Sequence, residues 1–374
     1  MAAKVVHVIT RLDFGGAQQN TLHTVANLAS SRYEAVLVCG GGGALPAPAG
    51  TRTVMMSSLV HPVSPLHDLL AFLELASFFL REKPAVVHTH SSKAGILGRL
   101  AARMAGVPVI LHTYHGFGFH DRQRPLVRAV YVAVERLACR LSTASVFVSN
   151  SNIDYAVKHG LVERSDAILI RSGVKLSAYP ASVDKAELKM SLGIGKHKPL
   201  VVSIGNLKPQ KNAADFVAVA AKVGVAVPEA RFLFIGDGPQ RKALEAKAFA
   251  LGLEGRVIFA GWRQDAAAWL AAADAFMMTS LWEGLPRSLV EAMKTGLACL
   301  CYDADGVTDV LLDGKNGVVV KAGDVDAMAA RLTRVLQDDE LRARLGRAAA
   351  ASIGPEFDID GMVRSQEALY ERLL

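Results

Sequence analysis

Two carboxylates eight positions apart, Glu283 and Glu291, bracket a short run, Gly284-Leu285-Pro286-Arg287-Ser288, whose residue types suit an anionic ligand. A strand-like apolar stretch over 275–280 precedes the run, and a helical pattern that stops at Thr295-Gly296 follows it, so Glu283 falls on a strand-to-helix turn. Such a turn presents free backbone N–H groups and the positive end of a helix dipole at the carboxyl end of a strand. Pro286 suits the first helical position, where its missing N–H costs nothing. Ser288 adds a hydroxyl. Glu291 then lies about a turn and a half into the helix, and the two carboxylates could reach opposite ends of one elongated ligand. The alternative on spacing alone is that Glu283 caps the helix and Glu291 lies on a solvated face.

Other stretches combine polar side chains with strand ends. Gly15-Gly16 follows the first apolar run and opens a helix, so the backbone there can approach a phosphate closely. The wording is not G-x-G-x-x-G, which removes the dinucleotide fingerprint and leaves a plain tight turn as the alternative. His88-Thr89-His90-Ser91-Ser92-Lys93 ends a strand and starts a helix. His88 and His90 are expected on opposite sides of that strand, which argues against a two-His metal site. Lys93 either meets an acceptor phosphate or decorates the surface, and His120 is a second candidate for acceptor contact. His115 follows a strand expected to end at His112 and precedes Gly116, a placement that singles it out from a structural histidine. Further on, Gly205-Asn206-Leu207-Lys208-Pro209-Gln210-Lys211, Gly236-Asp237-Gly238 and Gly261-Trp262-Arg263 each follow a strand-like run. Asp303-Ala304-Asp305 has the D-x-D form that can hold a metal on a nucleotide, but two acidic residues at that spacing often occur by chance. No metal is expected.

The elements that must position these residues alternate. Strand-like runs near 5–10, 35–38, 85–89, 107–112, 145–148 and 167–170 are separated by helical patterns, and a second alternating set runs from 200 to 320. Continuous apolar strands between helices read as doubly wound parallel sheets, an α/β class. The pattern breaks between 172 and 199, which places a linker there and domain boundaries at 1–180, 181–355 and 356–374. At 374 residues, 51% hydrophobic and 21% charged, the chain supports two full cores and is not disordered. Residues 1–180 carry 18 Lys and Arg against 10 Asp and Glu, while the remainder is nearly balanced. The basic half is the one expected to meet an anionic partner, with solvated surface as the alternative. Four scattered cysteines make no disulfide framework. The longest helix-like apolar segment, 69–80, contains Glu74 and falls short of the ~20 residues of a membrane span. The start of the chain does not read as a signal peptide, so a cytoplasmic protein is expected.

Taken together, the spacing Glu283 to Glu291 resembles the E-x7-E element of retaining GT-B glycosyltransferases of family 4, the glycosyl transferases group 1. The other motifs fall in that family's order over nearly the whole chain. The resemblance implies two Rossmann-like domains facing a cleft and a last helix crossing back onto the first. Glu283 would face the donor sugar, the amides at Gly284, Leu285, Arg287 and Ser288 would hold the diphosphate, and Glu291 would bind the ribose. Gly15 and Gly16 match the loop that reaches the diphosphate, and His115 matches the His-Gly that contacts the sugar near its reacting carbon. Gly205 to Lys211 resembles G-R-L-x-x-x-K, whose cations neutralise the leaving diphosphate. Lys211 matches the lysine, Asn206 stands where the arginine is expected, and Lys208 is the residue that could compensate. Gly236, Trp262 and Arg263 lie where the family places the nucleotide base. Pro286 replaces a glycine of the usual wording.

The wording around 88–102 and 114–120 most resembles members that build bacterial exopolysaccharide or capsule. It implies metal-independent transfer without a cofactor, from a nucleoside-diphosphate sugar, UDP by family frequency, to a lipid-linked saccharide. An anionic membrane surface would be met peripherally, on the inner face of the plasma membrane, through 69–80 and Arg122, Arg124, Arg128, Arg136 and Arg140. Nucleic acid is not an expected partner. A nucleotide-sugar epimerase and a catalytically silent nucleotide-sugar-binding module are the alternatives.

Overall fold

The structure is a computed structural model and describes residues 2–121, 123–179 and 184–374. Arg122 and the boundary expected at 180/181 lie outside the described residues. The chain divides into two units, one running to Gly173 and resuming at Ile359, the other covering Val174–Asp358.

Among the described residues the first unit carries a seven-stranded sheet built from β1 (Ala3–Ile9), β2 (Tyr33–Cys39), β3 (Arg52–Met55), β4 (Val86–His90), β5 (Val109–Tyr114), β6 (Ala144–Phe147) and β7 (Ala167–Leu169). Their order is β3-β2-β1-β4-β5-β6-β7, all parallel. The central strands are rich in Val and buried on both faces, as a parallel sheet covered by helices requires. The helices Pro65–Glu82 and Ser92–Met104 pack on one face, over Val6, Val8, Val87 and Ile110. The helix Ile359–Leu373 packs on the other, where Met362, Val363, Leu369 and Tyr370 meet Val5, Val86, Val109 and Leu111.

The edge strand β3 has no counterpart in the sequence reading. Its four residues, Arg-Thr-Val-Met, are only partly covered and carry no apolar run, because an edge strand needs none. The strand expected to end at His112 continues to Tyr114, which brings His115 to the residue directly after it.

The second unit carries, among the described residues, a six-stranded parallel sheet of β8 (Leu200–Ile204), β9 (Arg231–Ile235), β10 (Val257–Gly261), β11 (Ala275–Met278), β12 (Ala298–Tyr302) and β13 (Val318–Val320). The order is β10-β9-β8-β11-β12-β13. Its core gathers Phe216, Phe232, Phe234, Met277, Leu300 and Tyr302. Cys299 and Cys301 are buried within β12 as free thiols, and Cys39 is likewise buried and free.

Candidate active site

In the Val174–Asp358 unit, winding proceeds one way from β8 to β10 and the other way from β11 to β13, so the sheet reverses between β8 and β11. The carboxyl ends of two such strands leave a crevice where ligands of open α/β sheets bind. The loop after β8 carries Gly205 to Lys211, and the loop after β11 carries Glu283. Hydrogen bonds stitch the two loops together. Leu281 N donates to the Gln210 carbonyl at 2.8 Å, Gln210 Nε2 donates to the Trp282 carbonyl at 2.9 Å, and Thr279 Oγ1 donates to the carbonyls of Lys211 and Asn212 at 3.2 and 3.0 Å.

The stitching brings Lys211 Nζ onto Glu283 as an ion pair whose side chains are only 16% and 8% exposed. Glu283 therefore does not cap the helix. That helix, Arg287–Lys294, has no side-chain cap, and Pro286 stands at the N-cap, one residue before the first helical position expected for it. A charge pair this enclosed is a strong electrostatic element, able to face a phosphate with the ammonium and a polar sugar with the carboxylate.

Two glycines make the close approaches. A Cβ on Gly205 would sit 3.0 Å from Lys211 Cε, so the bare backbone is the floor on which the lysine lies. A Cβ on Gly306 would sit 1.4 Å from the Gly284 carbonyl oxygen, so the turn after β12 presses on the turn that carries Glu283.

Glu291 is not on a solvated face. Its side chain is 12% exposed and lies 3.8 Å from Arg287. Burial raises its carboxyl above the usual carboxylate range, against Arg287 and a hydrogen bond from Tyr179, which pull it down. The Tyr179 hydroxyl is itself pushed up by burial and by Glu291. Tyr179 escaped the sequence reading because it stands in the irregular stretch read as linker.

The remaining positions of this unit sort by surroundings. Gly284 and Leu285 are buried, Asn206 and Ser288 are half-buried, and Lys208 is exposed at the edge of the Lys211 loop. Gly236 N donates to the Gly261 carbonyl at 2.8 Å, which ties together the two loops proposed for the base. Trp262 is half-buried next to them. Arg263 forks onto Asp265 at 2.7 and 2.8 Å and lies over the Trp269 ring. Asp303 accepts from Ala322 N at 2.7 Å and Asp305 opens the short turn Asp305–Val307, so the D-x-D pair helps shape the local backbone.

In the first unit the sheet reverses between β1 and β4. Gly15 is the N-cap of the helix Gly16–Asn27 after β1. Ser91, directly after β4, has φ 61° and ψ 153°, a region that essentially only glycine occupies without strain. Thr10 holds it there: the two hydroxyl oxygens lie 2.8 Å apart, Thr10 N donates to Ser91 Oγ at 3.2 Å, and Ala94 N donates to Thr10 Oγ1 at 3.2 Å. The end of β5 is anchored as firmly. Tyr114 donates to Glu135 at 2.8 Å and receives Arg99 at 3.1 Å, and Arg99, fully buried, also pairs with Glu135. Breaking such a buried pair costs roughly 3–5 kcal/mol, so His115 follows a well-fixed strand end.

Lys93 is turned inward onto Asp68 and the Pro62 carbonyl, so its charge already has acceptors. His120 is half-buried, and its backbone N donates to Gln123 Oε1 at 3.2 Å.

His88 and His90 do not lie on opposite sides of β4. Side chains two apart along a strand point to the same face, and their ring centroids are 4.5 Å apart. His7, which pairs with His88 across the β1–β4 register, joins them on the face under the helix Ile359–Leu373. Ring nitrogens of the three lie within 4.8 Å of one another, close enough to hold a metal. However, every one of those nitrogens already faces a polar partner in the protein.

Residues 184–352 match the family model of glycosyl transferases group 1, and residues 15–173 match a glycosyl transferase 4-like domain. The chain is 32% identical over 345 residues to the UDP-Gal:alpha-D-GlcNAc-diphosphoundecaprenol alpha-1,3-galactosyltransferase of Escherichia coli, covering 90% of this chain and 89% of that one. It is 24% identical to the N,N'-diacetylbacillosaminyl-diphospho-undecaprenol alpha-1,3-N-acetylgalactosaminyltransferase of Campylobacter jejuni, over 83% of each chain. The structure of HepE from Anabaena in complex with UDP and glucose superposes with a TM-score of 0.84 at 20% identity, covering 99% of this chain and 100% of that one. The two parallel sheets are those of the GT-B fold.

Proposed function

The chain belongs to the glycosyl transferases group 1, and from that premise we propose that it moves a sugar, with retention at the anomeric carbon, from a UDP-sugar to a hydroxyl of a lipid-linked saccharide in bacterial polysaccharide assembly. The observation that carries this reading is the enclosed Lys211–Glu283 pair at the point where the second sheet reverses. Lys211 stabilises the charge of the departing diphosphate. Glu283 orients the donor sugar, Glu291 takes the ribose hydroxyls, and the turn 284–288 supplies amides to the phosphates. The acceptor is proposed to bind the first unit, where His115 follows β5 and Gly16 opens the helix after β1. The relatives of Escherichia coli and Campylobacter jejuni are named for undecaprenyl diphosphate acceptors, which supports a lipid-linked acceptor here. Transfer is proposed to need no metal or other cofactor.

The acceptor's lipid locates the reaction at a membrane. Among the described residues no helix is long and apolar enough to cross one. The helix Pro125–Arg140 instead exposes Leu126, Val127, Val130, Val134 and Leu137 among its arginines, and the helix Pro65–Glu82 exposes Leu66, Leu69, Leu70 and Leu73. Apolar side chains flanked by arginine suit peripheral binding to an anionic surface, proposed to be the inner face of the plasma membrane.

Release of nucleoside diphosphate from UDP, GDP and ADP sugars, with and without a membrane lipid extract, tests the reading. Release from a UDP-sugar should rise with the extract, persist in EDTA, and fall at least about 100-fold in Glu283→Gln. Conversion of the free nucleotide sugar without extract would point to an epimerase. Donor binding without release from any sugar would leave a silent binding module. Loss in EDTA that Mg²⁺ or Mn²⁺ restores would remove the metal-independent mechanism.

A further inference from the structure

Three histidines of the first unit, His7 on β1, His90 on β4 and His115 directly after β5, are joined ring to ring. His115 Nε2 lies 3.2 Å from His90 Nδ1, and His90 Nε2 lies 3.0 Å from His7 Nδ1. His7 Nε2 lies 3.4 Å from the Tyr370 hydroxyl, which is 2.6 Å from His88 Nδ1, and His88 Nε2 lies 2.7 Å from Thr113 Oγ1. The series crosses the sheet beneath the helix Ile359–Leu373.

His7, His88 and His90 are buried, with at most 2% of any of them exposed. Burial pushes His7 down to about 3 and holds His88 and His90 well below the ordinary histidine value, so these rings are neutral. A neutral imidazole donates from one nitrogen and accepts at the other. Both links between histidines join Nε2 of one ring to Nδ1 of the next. If neighbouring rings held different tautomers, a link would set two N–H groups, or two lone pairs, against each other. With His115 neutral as well, His7, His90 and His115 share one tautomer.

Tyr370 decides which one. Its oxygen is 2.6 Å from His88, 3.4 Å from His7 and 3.5 Å from Gln366 Oε1, and the shortest of these has the length of an O–H donor. With its proton directed at His88 Nδ1, the Tyr370 oxygen is left to accept from His7 Nε2–H. That choice propagates through His90 to His115.

We propose that His90, His7 and Tyr370 are positioning residues that lock His115 in its Nε2–H tautomer, with the lone pair on its buried Nδ1. The lock is a property of the buried network. Its use in transfer rests on the reading of His115 as a residue of the transfer site. The strained Ser91 that follows His90, pinned by Thr10, fixes the strand end from which His90 reaches both neighbours.

The test is long-range ¹H–¹⁵N correlation on the full chain with ¹⁵N-labelled histidine at pH 8, which separates the two neutral tautomers. Wild type should show His7, His90 and His115 in the Nε2–H form. In Tyr370→Phe, which removes only a hydroxyl, all three should become mixtures. His90→Phe should mix His115 alone with Nδ1–H and lower kcat for nucleoside diphosphate release about tenfold, with KM for the donor changed less than about threefold. An Nδ1–H form of His115 in wild type, or a His115 spectrum untouched by both substitutions, overturns the lock. So does one equivalent of zinc bound through His7, His88 and His90 in protein purified without added metal, because a metal would take the lone pairs the links need. If the tautomer pattern holds and wild type releases no nucleoside diphosphate from any sugar, the lock stands and the transferase reading fails.

Discussion

Lys211 lies across the bare backbone of Gly205, with Cε where a methyl group would leave only 3.0 Å. The ammonium, held on Glu283, is therefore placed by a missing side chain as much as by its partner. Gly205→Ala should displace the flexible end of the lysine by a few tenths of an ångström without disturbing the buried strand. Because catalysis depends steeply on placement, kcat/KM for nucleoside diphosphate release is expected to fall about tenfold while Tm moves by less than about 2 °C. A Tm loss as large as that of a core substitution would mean that the residue serves folding and not the site. Asn206, half-buried in the same loop, is a neutral amide, and the cation nearest it in sequence is the exposed Lys208.

The helix Pro125–Arg140 has two unlike faces. Its inner face carries Glu135, which pairs with the buried Arg99 and receives the Tyr114 hydroxyl, and so it steadies the strand end before His115. Its outer face leaves Leu126, Val130, Val134 and Leu137 exposed beside Arg124 and Arg140. Arg128 and Arg136 are partly engaged elsewhere, by Asp121 and by the His159 carbonyl. If the outer face meets lipid, wild type should cosediment with vesicles containing anionic lipid and lose most of that binding in Leu126→Asp/Val130→Asp. Equal binding to neutral vesicles, or none to either, would remove the membrane role from this helix. Both substitutions lie on the exposed face, so the inner anchoring and the thermal stability should be unchanged.

Across the whole molecule, acid stability follows from where histidines are buried. The His7 ring titrates near 3 when folded and near 6.5 when exposed, and His88, His90 and His112 are shifted in the same direction by burial. Below pH 6.5 the unfolded chain takes up protons that the folded chain refuses. The stability these rings confer is thus complete above 6.5 and drains away as pH falls towards 3, by up to about 1.4 kcal/mol per pH unit for each ring. Tm measured from pH 7.5 down to pH 4 should fall steadily, and His7→Phe should flatten the slope whatever it does to the level at pH 7.5. An unchanged slope would show that His7 is hydrated and titrates normally in the folded protein.

Much of this protein was decided by short-range pattern. Continuous Val-rich runs between helical stretches specify parallel strands covered on both faces. Glu283, Lys211 and His115 each lie in a short motif that follows a strand, and that placement is set by neighbours in the chain. The edge strand β3 carries no such pattern, since an edge has little to bury. What tertiary structure alone decided is which residues meet. Lys211 and Glu283 are 72 positions apart, His7 and His90 are 83 apart, and His88 meets Tyr370 across 282. Strand order and register set those meetings, as they set the pairing of His7 with His88 and the face that the last helix covers. Tyr179 reaches Glu291 by the same route. A side chain's type states what chemistry it can do, and only the winding of the sheet states which partner will hold its proton.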